Sequence, residues 1–253
     1  MLRRLCSFMV ANLFAAALAS SHAVAGQALH FEPPHKHPAL ARAILITGDG
    51  GYTRIEKAIA RRLSRDGVDV VTLDSRTYFS SPHSVKWIAA SLETLSRAPN
   101  SAPVVLVGYS FGADLIPLIW PDLDRAARAR ISSVALISPT HDASTTVDAS
   151  GRYDPATMPM VDLATHAGNL PLERLTCISG RVEVASGYSS CRDAALAGAR
   201  VIELDGGHDF GGNSDAVAQL VAELVTNTMS LGSVQALPRM GSVKHPSSDR
   251  RVR

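Results

Sequence analysis

Six short apolar runs recur along the chain: AILIT from Ala43, DVVTL from Asp69, PVVLVG from Pro103, SSVALIS from Ser132, LTCIS from Leu175 and RVIEL from Arg200. Each is nearly continuous in its hydrophobicity, as a strand buried on both faces must be. The segments between most of them keep a different period. Thr53 and Glu56 have capping-box spacing and open a helix reaching about Arg65. Val85, Ile88, Leu92 and Leu95 recur at helical spacing, as do Val217, Leu220, Val221, Leu224 and Val225. Buried strands alternating with helices predict an α/β fold, a mostly parallel central sheet with helices on both faces. Ligands of such sheets bind beyond the carboxyl ends of the strands, so the chemistry is sought just after each run.

The 253 residues suit one sizeable domain, expected over 42–231. The first 25 residues read as a secretory signal peptide: Arg3 and Arg4, an apolar run from Leu5 to Ala19, then Ala23-Val24-Ala25 as a cleavage site before Gly26. That run is shorter than the roughly 20 residues a membrane span needs. Cys6 lies inside it, which leaves Cys177 and Cys191 as an even pair in an exported chain and predicts a disulfide. Residues 26–41 are rich in proline and histidine and read as a linker; His35 and His37 belong to it rather than to a metal site. The tail, 232–253, carries Arg239, Lys244, Arg250, Arg251 and Arg253 against Asp249, lacks apolar periodicity and is expected to be disordered. Subtracting the basic ends from a net charge of +2 leaves a mildly acidic body, and only 5% of residues are aromatic. Neither suits a nucleic-acid binder.

Gly108-Tyr109-Ser110-Phe111-Gly112 matches G-x-S-x-G. It falls between a strand pattern and a segment able to start a helix, where glycines permit a sharp turn and a serine hydroxyl can stand exposed as a nucleophile. A serine needs a base, and His208 follows the last strand run in a Gly-rich loop. The acid should lie between them. Glu183 follows the preceding run and can hold the imidazole tautomer; Asp142, after SSVALIS, is the alternative, and Asp154 and Asp162 are also in range. The order Ser110, Glu183, His208 is that of α/β-hydrolases. A Cys177–Cys191 bridge would brace the loop that carries Glu183. For the oxyanion, the backbone N–H of Phe111 is one candidate donor. The loop Gly48-Asp49-Gly50-Gly51 supplies the other, from Asp49 or Gly50. No lysine stands at P-loop spacing and no G-x-G-x-x-G is present, so this is not read as a nucleotide loop.

TGDGGY, LDSRTYFSSP, GYSFGADLIP, CISGRVEVASGYSSC and LDGGHDFGGN together resemble the VirJ-type bacterial virulence proteins, which are related to the C-terminal half of AcvB. The resemblance runs from about Ala43 to Val225. It implies a periplasmic protein of α/β-hydrolase fold with Ser110 as nucleophile, His208 as base and no cofactor or metal. AcvB-like members hydrolyse lysyl-phosphatidylglycerol, and VirJ-like members are linked to type IV secretion. The expected function is therefore hydrolysis of an aminoacyl ester of that lipid at the membrane surface. A general esterase or lipase, and a non-catalytic chaperone or accessory factor of type IV secretion, are the alternatives. The family usually has Trp at the position of Tyr52, an aromatic near Ser80 and often a second His at Asp209. These positions, with Tyr109, are expected to line the pocket, and Asp114 to be structural or substrate-facing. The segment Thr140–Pro171, with Met158 and Met160, departs most from the family and is expected to cap the site. Asp49, Asp114, Asp142 and Asp209 would give an acidic rim suited to an ammonium group.

Overall fold

The computed structural model describes residues 28–36, 38–78, 85–97, 102–144 and 160–235, with side chains as far as residue 229. The expected signal peptide, His37, Ser80, Asp154, Met158 and most of the basic tail lie outside the described residues. In chain order the main elements are β1 (Leu29–Glu32), β2 (Ala41–Ile46), α1 (Arg54–Arg65), β3 (Val68–Leu73), α2 (Ser75–Tyr78), α3 (Val85–Ser96), β4 (Val104–Tyr109), α4 (Phe111–Ile119), α5 (Arg125–Arg130) and β5 (Ile131–Ile137). A small pair, β6 (Asp142–Ala143) and β7 (Val161–Asp162), follows. The chain ends with α6 (Ala164–Ala167), β8 (Leu175–Gly180), α7 (Arg181–Ser186), β9 (Arg200–Leu204) and α8 (Ser214–Gln235).

The six predicted runs form six neighbouring parallel strands in the order β3-β2-β4-β5-β8-β9. Side chains alternate across them. Ile44, Ile46 and Leu106 pack on one face with Ile88 and Leu92 of α3, Ile116 and Ile119 of α4 and Ala127 of α5. Ala43, Leu45, Val105 and Val107 pack on the other with Ile55, Ile59 and Leu63 of α1 and Val217, Val221 and Val225 of α8. The two helix layers are what allow the strands to be apolar throughout. Among the described residues no helix is long and apolar enough to cross a membrane.

Two boundaries differ from expectation. Residues 26–41 are not simply a linker: β1 adds a seventh, antiparallel strand at the β3 edge, with Leu29 opposite Leu73 and Glu32 opposite Val70. Four residues with two polar side chains leave little trace in a hydropathy pattern, but pairing satisfies backbone groups that β3 would otherwise leave open. The chain then stays tied to the C-terminal end of α1, through His35 N–H to Ser64 O at 2.9 Å and Leu40 N–H to Gly67 O at 2.9 Å. At the other end α8 runs to Gln235, past the expected limit at residue 231.

Backbones approach closely at the carboxyl edge of the sheet. A Cβ on Gly112 would stand 2.2 Å from Ile46 O, and one on Gly108 would stand 2.4 Å from Gly112 O. Gly112→Ala and Gly108→Ala should therefore each cost about 3 kcal/mol or more, or prevent folding, because the clashing atoms are backbone. Gly168→Ala, where a Cβ meets nothing within 4 Å and φ is −62°, should stay within about 0.5 kcal/mol of wild type. Urea midpoints of the three variants would test this; similar midpoints for Gly112→Ala and Gly168→Ala would contradict it.

Candidate active site

The turn from β4 into α4 holds Ser110 at φ 52°, ψ −123°, a conformation that costs a non-glycine residue about 1–3 kcal/mol. It is held from three sides. Ser110 N–H donates to Ile137 O at 2.8 Å, its carbonyl accepts from Ala113 N–H at 2.8 Å, and the two flanking glycines let strand and helix close on the turn. The hydroxyl is thereby presented above the carboxyl edge of the sheet.

His208 comes to it from the loop after β9, with Nε2 2.7 Å from Ser110 Oγ. Its Nδ1 is 2.6 Å from Glu183 Oε1. The buried carboxylate fixes the tautomer: Nδ1–H donates to Glu183, which leaves the Nε2 lone pair for the serine proton. Tyr109 supports the same loop by donating its hydroxyl to His208 O at 3.1 Å. The absence of a Cβ at Gly180 matters here, since one would stand 2.3 Å from Gly207 O.

Glu183 is the third residue of α7, where its Oε2 accepts the Gly180 N–H at 3.1 Å and the Ser138 hydroxyl at 2.9 Å. Burial works to raise this carboxyl. The hydrogen bonds from His208, Ser138 and Gly180 together outweigh burial and hold it below the usual glutamate range. The bond to Glu183 in turn holds the His208 imidazole above its ordinary value despite burial, and the charges of Asp114 and Asp49 add to the effect. Cys177 and Cys191 form a disulfide that closes the loop containing Glu183. Asp142, the alternative acid, is exposed on β6 opposite Asp162, and His208 Nδ1 faces Glu183 instead.

The loop after β2 lies against the nucleophile: a Cβ on Gly48 would stand 3.3 Å from Ser110 Cβ. The Gly48 N–H is committed to Glu56 Oε1 at 3.2 Å and the Gly51 N–H to Gly48 O at 3.0 Å. Of the four loop amides, those of Asp49 and Gly50 find no partner among the described residues. Both residues are exposed, and Phe111 is the first residue of α4.

The remaining predicted residues take varied places. Asp114 is buried one turn into α4 and accepts from Thr140 N–H at 2.7 Å and Thr140 Oγ1 at 2.9 Å. Burial pushes it up to about 7 against those bonds. It thus ties the nucleophile helix to the start of the expected cap segment. Asp209 is exposed and caps its own turn through Gly211 N–H at 3.1 Å. Tyr52 turns toward the sheet edge, stacked on His30 at 4.4 Å with its hydroxyl 3.4 Å from Glu32 Oε1. Tyr188, which the sequence did not single out, stands edge-on to His208 at 6.1 Å. Ser138 was also missed: fully buried, with φ 50°, it has no motif around it that would have marked it. Among the described residues no three histidine, cysteine or acidic side chains are grouped as a metal site.

A model of the family described as bacterial virulence protein (VirJ) matches residues 41–229. No curated protein matches the chain by sequence. Among solved structures, Est1E from Butyrivibrio proteoclasticus is similar with a TM-score of 0.57 at 15% identity, over 80% of this chain and 94% of that one. The enol-lactonase from Burkholderia xenovorans LB400 is similar with a TM-score of 0.57 at 18% identity, over 78% and 96%. The esterase domain from a Rhodothermus marinus protein gives 0.53 at 17% identity, over 80% and 91%. The fold is that of the α/β-hydrolases.

Two consequences can be measured. Ser138→Ala removes one of the donors that hold Glu183 below its ordinary range, so the carboxyl should rise. Turnover of an ester hydrolysed at this site should fall by about tenfold, with Ser138→Thr retaining more of it; wild-type rates in Ser138→Ala would refute the role. Asp114 is linked to stability. Between about 4, its unfolded value, and about 7 the folded protein keeps a proton that the unfolded chain has released. Stability from this group therefore declines as pH rises through that window. Asp114→Asn should flatten the decline, seen as a smaller difference between urea midpoints at the two ends of the window.

Proposed function

We propose that this chain, which belongs to the VirJ family of bacterial virulence proteins, is a serine hydrolase of carboxylic esters. The observation that carries the reading is the unbroken chain of hydrogen bonds from Ser110 Oγ through His208 to Glu183, at 2.7 and 2.6 Å. In this reading Ser110 Oγ attacks the ester carbonyl while His208 Nε2 takes its proton. The Asp49, Gly50 and Phe111 amides receive the oxyanion. His208 then gives the proton to the leaving alcohol, and an acyl-serine forms. Water attacks that acyl group with His208 again as base, which releases the acid and restores Ser110. Glu183 touches neither substrate nor water; it holds His208 and stabilises its protonated form.

The finer proposal is that the ester is the aminoacyl ester of lysyl-phosphatidylglycerol, cleaved at the outer face of a bacterial inner membrane after export of the chain. Electrostatics supports it. Asp49 acts on His208, and Asp49 and Asp209 both act on the neighbouring Tyr109, so a substrate ammonium would enter an anionic site. The disulfide supports an oxidising compartment. A general esterase would share the machinery but gain nothing from these charges. A non-catalytic accessory factor of type IV secretion would need neither.

One assay separates the three. Wild type and Ser110→Ala are incubated with lysyl-phosphatidylglycerol and with a panel of simple esters. Loss of about 10³-fold or more in the variant marks Ser110-dependent hydrolysis. Preference for the aminoacyl lipid supports the finer proposal, whereas equal output from both proteins on every substrate would end the enzyme reading. The pH profile gives a second check. His208 must be neutral to act as base, so activity should rise with pH through a midpoint above the ordinary histidine value. Glu183→Gln removes the main cause of that elevation and should move the midpoint to lower pH while lowering the plateau. Asp142→Asn should leave both within twofold; the reverse order would put the acid on the wrong strand.

A further inference from the structure

The outer face of α1 carries Arg54, Lys57, Arg61 and Arg65, all exposed, at spacings of three and four residues. They line an open groove of about 670 Å³ that also reaches His35, Glu32 of β1 and Asp215 of α8. Among the described residues, no side-chain hydrogen bond or ion pair engages any of the four, although Lys57 stands 5.5 Å over the Tyr52 ring. Their neighbour Arg62 is instead bound to Asp66 at 2.8 Å. Like charges at this spacing destabilise a helix, and two carboxylates do not neutralise four cations.

We infer that this face docks the protein on an anionic phospholipid surface. The stripe spans 11 residue steps, about 16 Å of helix, which is too long for one phosphate to bridge but matches several headgroups side by side. It also begins at the catalytic rim. The Arg54 guanidinium lies against the His208 loop, where a Cβ on Gly212 would stand 2.9 Å from its Nη2, and Thr53 leads from Arg54 back to the oxyanion loop. A bilayer held along this face brings ester-bearing headgroups to the mouth of the site. The inference rests on the substrate being a lipid ester.

The test is sedimentation of the full chain with vesicles of phosphatidylcholine alone or mixed with phosphatidylglycerol. Wild type should bind the mixed vesicles, release them at high salt and leave pure phosphatidylcholine in solution. The Arg54→Gln/Lys57→Gln/Arg61→Gln/Arg65→Gln variant should lose about tenfold or more of that binding. The charge-retaining Arg54→Lys/Arg61→Lys/Arg65→Lys variant should keep it. Melting curves report whether each variant is folded, and the pair Arg54→Gln/Lys57→Gln stands in if the fourfold change does not fold. Ser110→Ala should bind like wild type, so a failure of the hydrolase reading would leave this result standing. Equal binding by the glutamine variant, equal uptake on phosphatidylcholine, displacement by inorganic phosphate at matched concentration, or preference for single-stranded DNA would each overturn the inference.

Discussion

Everything at this site depends on forcing one non-glycine residue, Ser110, into a left-handed backbone at the end of the central strand. The strain is tolerated because the surroundings leave no alternative. Gly112 lies against the backbone of β2, Gly108 against the start of α4, and the Ser110 N–H is bound to the neighbouring strand β5. The same close approach sets the reach of the hydroxyl toward His208. Relaxing the turn would rotate the Ser110 hydroxyl away from His208, which is itself held by Glu183 of α7 and Tyr109 of β4.

Two glutamates join local helix capping to that geometry. Glu56 sits at the third position of α1 and accepts the Thr53 N–H at 3.1 Å with one oxygen. With the other it accepts the Gly48 N–H at 3.2 Å and so positions the loop after β2. Glu183 sits at the third position of α7, accepts the Gly180 N–H with one oxygen and holds His208 with the other. In each case a capping carboxylate that a helix start favours also fixes a loop of the candidate site. Burial makes both arrangements demanding, since an unpaired carboxylate there would be costly.

Charge is divided between two faces of the protein. Carboxylates gather around the mouth of the site, where they favour protonated His208 and would favour a cationic acyl group. Cations that form no ion pair among the described residues gather along α1, beginning beside the same mouth. A chain of nearly balanced net charge thus carries opposite signs at two neighbouring places.

The six parallel strands and the placing of Ser110, Glu183 and His208 just past strand ends were legible in the sequence. Each follows from local pattern: continuous apolar runs, glycines where a turn must be tight, and acid–base residues just past a strand end. β1 was not legible, because four residues with alternating polarity become a strand only when a free edge accepts them. The sequence preferred Glu183 but left Asp142 open, because the two lie after adjacent strands. Packing separates them, since α7 turns Glu183 inward to His208 while β6 carries Asp142 to the surface. Ser138, the Asp114–Thr140 tie and the commitment of the Gly48 amide to Glu56 belong to the same class. They join residues separated in sequence, and such contacts exist only once packing has brought the strand ends together.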